Sequence, residues 1–138
     1  MKRATVVAAA RTRIGTPFHH QGTVAGVGMD CRGLVVDVAT ELGIKTSIET
    51  NYSRYPTGQH LIEVCDQYME RIQTDELLPG DVVAIMFEGD PQHVAFVGDY
   101  AGGLSLIHSL ARRGVVEHRL DSVWSKRITQ AYRIPGVE

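Results

Sequence analysis

The sequence predicts an α+β domain, with helices in its first half and an antiparallel sheet in its second. Three observations carry that expectation. Apolar residues recur at helical spacing in the first seventy or so positions. After "LLPGD" (77–81) the period shortens, and runs rich in Val, Ile, Phe and Tyr alternate with Gly, Asp and Pro signals. The 138 residues are 43% apolar and 22% charged, which suits one globular domain with one real core, here taken as 1–138. Helices first and a strand meander second is the α+β pattern.

The elements follow in order. Val6, Val7, Ala10 and Ile14 fall on one helical face, so a first helix is expected from about Thr5 to Ile14, ended by Gly15 and Pro17. The basic start and short apolar stretch imitate a signal peptide, but Arg11 and Arg13 interrupt the stretch early. A mature helix with no cleaved signal is the expectation. A glycine-rich loop, "GTPFHHQGTVAGVGM", comes next. A second helix is expected to begin near Cys31, with Asp30 as N-cap, Leu34, Val35, Val38 and Leu42 as its apolar face, and Gly43 as its C-terminal cap. Residues 44–58 read as irregular, with Tyr52 and Tyr55 as cleft wall or loop anchors. Leu61, Val64, Cys65, Tyr68 and Ile72 place a third helix over 59–72, with Cys65 in the core. Strands are expected at 81–87, 93–100, 104–110, 114–120 and 129–134, with one helical turn around Val123 and Trp124.

Bulk properties exclude several functions. A net charge of −2 gives no electrostatic reason to expect nucleic acid. No apolar run approaches the ~20 residues that cross a bilayer, so no membrane insertion is expected. Cys31 and Cys65 form no CxxC motif and no Cys/His cluster, so neither a disulfide framework nor a structural zinc site is expected. The neighbours His19 and His20 lack a third ligand, so no metal is assigned to them. His60 and His118 read as surface residues.

The chemistry gathers on three residues. Cys31, at a helix N-terminus, would have its thiolate supported by unpaired N–H groups and positive potential, and the same N–H groups can donate to an oxyanion. Gly33 leaves room for a close approach by another element. His93 follows the turn "GDPQ" and opens a strand, where an imidazole can take a thiol proton. His108 is the only ionisable residue of "LSLIHSLA"; its neighbours at period two, Leu106 and Leu110, turn its ring inward, where it could steady His93. Singly, each also reads as ordinary: a helix-capping hydrophobe, a surface histidine, a core histidine bonded to a carbonyl.

With "DCRGLV" (30–35), "LLPGDVV" (77–83), "QHVAFVGD" (92–99) and "LIHS" (106–109) in this order, behind the lead-in "AARTRIGTPFHHQG", the chain resembles the NlpC-type cell-wall peptidases, which are papain-like cysteine hydrolases. It is most similar to the branch carried by phage tails and phage-like particles. The resemblance implies a papain-like fold with N-terminal helices on a five- to six-stranded antiparallel sheet. It implies Cys31 as nucleophile, His93 as base and His108 as orienting residue, acting on an amide of the peptidoglycan stem, often the one between D-γ-glutamyl and a diamino acid. It implies no cofactor. Asp30, Arg32, Phe18 and His19 are the substrate-facing candidates. Phe18 stands where the family commonly has tyrosine, and Arg32 where many members have serine. Arg32 would repel a free stem amine, which favours crosslinked wall as substrate. With no export signal expected, a phage tail tip is the expected carrier, with tail-tip proteins as partners and the virion tail as location. The alternatives are a structural tail-tip protein with a vestigial cleft, or an acyltransferase or deamidase using the same thiol.

Overall fold

The computed structural model describes residues 1–44, 58–87 and 90–138. Helix α1 spans Arg3–Arg11, α2 Cys31–Leu42 and α3 Gly58–Tyr68. A small hairpin, β1 (Thr23–Val24) and β2 (Gly28–Met29), lies between α1 and α2. Strands β3 (Glu70–Ile72), β4 (Val82–Phe87), β5 (Asp90–Tyr100), β6 (Gly103–Leu110), β7 (Gly114–Arg119) and β8 (Ile128–Arg133) form one antiparallel sheet, and the turn α4 (Ser122–Ser125) precedes β8. The sheet order is β3-β8-β4-β5-β6-β7. The α+β expectation and the six-stranded sheet therefore stand.

The boundaries differ in instructive ways. Helix α1 stops at Arg11, and residues 12–15 form turns rather than a last helical turn. There Arg13 leaves the helical path to become buried, bonding Asp37, Glu41 and the Ala9 carbonyl and so tying α1 to α2. Helix α3 ends at Tyr68, and "ERI" pairs with β8 as an edge strand, Ile72 opposite Ala131. Three residues are too few for a period to show. Tyr52 and Tyr55 lie outside the described residues.

Alternation along the strands sorts two cores. Val82, Ala84, Val94, Phe96, Ile107 and Tyr132 pack under the helices with Val6, Leu34, Val38 and Leu61. Val83, Ile85, Ala95, Val97, Leu106 and Ala131 face the other way, covered by Leu77, Leu120 and Trp124. Each Val, Leu, Ile or Phe among them removed from water contributes about 1.5–3 kcal/mol. The aspartate of "LLPGD", Asp81, is fully buried; Arg3 and Arg133 bond it at 2.9–3.1 Å and Leu78 donates its N–H. Burial opposes its ionisation, yet the two guanidinium groups hold its carboxyl below the usual range. This aspartate is a joint between α1, β4 and β8.

Candidate active site

The site begins with a helix start. Asp30 caps α2: its Oδ1 accepts from the Gly33 N–H at 2.8 Å. Its Oδ2 accepts from the Gln21 N–H at 2.8 Å, so one carboxylate binds the helix and the preceding loop together. That loop is held throughout. The Gly15 N–H donates to Val115, the Val115 N–H to Thr16, the Met29 N–H to Pro17, and the Ser109 hydroxyl to the Met29 carbonyl. Gly33 is where loop and helix touch: a Cβ there would stand 1.8 Å from the Gly22 carbonyl oxygen. The close approach expected at Gly33 is thus the loop itself.

This packing sets Cys31 on the first turn of α2, 9% exposed. The Val94 backbone N–H and the N–H of Arg32 both support its sulfur. Burial, and then the Asp30 carboxylate, nevertheless push the thiol up to about 11. The resting group is therefore a neutral thiol, in keeping with a reading in which an imidazole takes its proton. The helix end supplies donors, but the cost of putting an anion in a dry place outweighs them.

Val94, whose N–H favours the Cys31 thiolate, is the neighbour of His93. His93 pairs with Ile85 across the sheet, and the β4–β5 register shifts just beyond that pair. Such irregularities re-aim side chains at strand ends. His93 is 6% exposed and His108 fully buried, and His93 Nε2 lies 2.5 Å from His108 Nδ1. Burial holds both imidazoles well below their ordinary range, so both are neutral at pH 7. The row continues: His108 Nε2 is 2.8 Å from His118 Nε2, and His118 Nδ1 is 2.9 Å from the Arg119 carbonyl oxygen. Trp124 lies against His108 and His118, with ring centroids 5.2 and 4.8 Å away.

His118 is thus not the isolated surface residue expected from sequence. On β7 it sits two pairs along from the residue opposite His108, on the same face, since Leu106 faces His118 and His108 faces Val116. Two imidazoles ten residues apart, on strands joined by the short turn "ARR", are the signal that could have found it.

Of the four substrate-facing candidates, two lie below the surface. Asp30 is 4% exposed and occupied by backbone N–H groups, and Arg32 is 3% exposed. Arg32 is close enough to favour the thiolate forms of both Cys31 and Cys65. Its guanidinium presents no surface charge to a stem amine, which removes the reason for preferring crosslinked wall. Phe18 is half-buried and His19 exposed; the His19 N–H donates to the Met29 carbonyl, and its ring lies against Gly28. Among the described residues no cluster of His, Cys, Asp or Glu could hold a metal ion, and no helix is long and apolar enough to cross a membrane.

The family model for NlpC/P60 matches residues 15–133, a stretch that holds all of these groups. The chain belongs to the NlpC/P60 family. This is a family of peptidoglycan hydrolases with non-catalytic members. Solved NlpC/P60 structures agree on the fold. The domain of the peptidoglycan hydrolase SagA shares 21% identity at a TM-score of 0.71, over 97% of this chain and 100% of that one. An NlpC/P60 protein from Bacillus cereus shares 21% at 0.72, over 96% of this chain and 40% of its own. RipD from Mycobacterium tuberculosis, a non-catalytic NlpC/p60 domain protein adapted to peptidoglycan binding, shares 18% at 0.62, over 96% of each. The chain thus spans the whole of some NlpC/P60 structures and about two-fifths of others, among them a Staphylococcus aureus protein. A comparison with curated proteins returned no match.

Proposed function

We propose that this NlpC/P60 chain is a cysteine endopeptidase of the peptidoglycan stem. The observation that carries the reading is the buried His93–His108 hydrogen bond, placed one residue from the N–H that supports the Cys31 sulfur. His93 Nδ1 takes the thiol proton as the sulfur attacks the amide carbonyl. The carbonyl oxygen becomes an oxyanion, received by N–H groups of the first turn of α2. The tetrahedral intermediate collapses as His93 returns the proton to the leaving amine, leaving a thioester on Cys31. Water, deprotonated by the same imidazole, then releases the stem acid and restores the thiol. Because thiol and imidazole both rest neutral, proton transfer accompanies attack rather than preceding it.

The favoured bond joins D-γ-glutamyl to a diamino acid, and Phe18 and His19 are the substrate contacts. A phage tail tip is the proposed carrier, with neighbouring tail proteins as partners. Release of soluble fragments from purified sacculi tests the reading, with Cys31→Ala beside the parent. The parent should release fragments and the variant none. Equal release would end the mechanism, and inertness of both would favour a wall-binding role of the kind RipD has.

A further inference from the structure

The reaction above uses two histidines of the row and leaves the third unassigned. His118 has a partner at each ring nitrogen: the Arg119 carbonyl at Nδ1 and His108 at Nε2. A carbonyl oxygen only accepts, so His118 Nδ1 carries its hydrogen. In a neutral ring the other nitrogen then only accepts. His108 must therefore donate from Nε2, which leaves its Nδ1 as acceptor. His93 must in turn donate from Nε2 to that nitrogen, which puts the lone pair of His93 on Nδ1. One carbonyl thus orders three tautomers, and the order ends with His93 in the form able to take a proton.

We propose that His118, anchored by the Arg119 carbonyl, is a positioning residue that fixes the tautomers of His108 and His93. The surroundings suit that role. Trp124 packs on the His108 and His118 rings, and the Arg127 guanidinium lies 5.0 Å from the centre of Trp124, closing the cover. Reversal of the row would place a hydrogen on His93 Nδ1, where a base needs a lone pair. A base held in the wrong tautomer loses orders of magnitude in kcat with its geometry intact. The inference rests on His93 as base for its effect on rate, but the tautomers themselves do not depend on any substrate.

The test is nitrogen-15 NMR of the histidine-labelled full chain at neutral pH, with two variants. The parent should show hydrogen on Nε2 of His93 and His108 and on Nδ1 of His118. His118→Gln offers an acceptor oxygen in place of Nε2; it should keep the His93 tautomer and a kcat within about 3-fold of the parent. His118→Lys offers only donors, so it should move the His93 hydrogen to Nδ1 and lower kcat roughly 100-fold at unchanged KM. A parent His93 with hydrogen on Nδ1 would overturn the proposal, as would an unchanged His93 tautomer in His118→Lys. A wall-inert parent with the expected tautomers would leave this inference standing and remove the peptidase reading.

Discussion

Cys31 and Cys65 differ little in bulk environment and greatly in what stands beside them. Both are free and buried, at 9% and 1% exposure, and burial pushes both thiols up, to about 11 and about 12. Neither is a thiolate at rest. Cys65 sits inside α3 and lines an apolar cavity with Val35, Val38 and Phe96. Cys31 sits on a first helical turn, where the Arg32 and Val94 backbone N–H groups favour its thiolate, and Val94 is next in sequence to His93 of the histidine row. On the proposed mechanism, reactivity is thus a matter of where the proton and the developing charge can go, not of acidity at rest.

Four experiments sharpen or break that contrast. Cys31→Ala should lower wall hydrolysis at least about 1,000-fold, whereas Cys65→Ala should leave it unchanged. Gly33→Ala drives a methyl group into the Gly22 carbonyl, so the loop must leave the helix; unfolding in urea should show a loss of about 3 kcal/mol. Alkylation mapped by mass spectrometry should then change at Cys31 and not at Cys65.

Acid should act through the histidine row. His93 and His108 have folded-state pKa values depressed below the ordinary 6.5, so the unfolded chain binds the extra protons. Their stabilisation is complete above about pH 6.5 and is lost as pH falls toward the depressed values. Urea melts at pH 7.5 and 5.5 should differ by about 3 kcal/mol, and by half that in His108→Gln. The smallest effect belongs to Cys65→Ala, which enlarges an existing apolar space and should cost about 1 kcal/mol in the same melts.

The helices and long strands were legible because burial imposes a period on them. Asp30 and Gly43 marked the ends of α2 correctly, the first by accepting the Gly33 N–H and the second by adopting φ 69°. What escaped was too short for a period or had its cause elsewhere in the chain. The hairpin β1–β2 has two residues per strand, and β3 has three. The burial of Arg32 follows from how α2 packs, which its flanking residues do not state. His118 looked ordinary because its meaning lies in strand register, with Leu106 as its partner and His108 one step along the same face. The local motif at Cys31 was readable, but the level of its thiol was not, since that depends on how much water the finished fold excludes.

The most direct test of the contrast between the two thiols is covalent trapping. The parent chain, mixed with a stem peptide and quenched in acid during turnover, should carry the stem acyl group as a thioester on Cys31, with Cys65 unmodified. Fragment release with no acyl adduct on Cys31, or with the adduct on another residue, would contradict it.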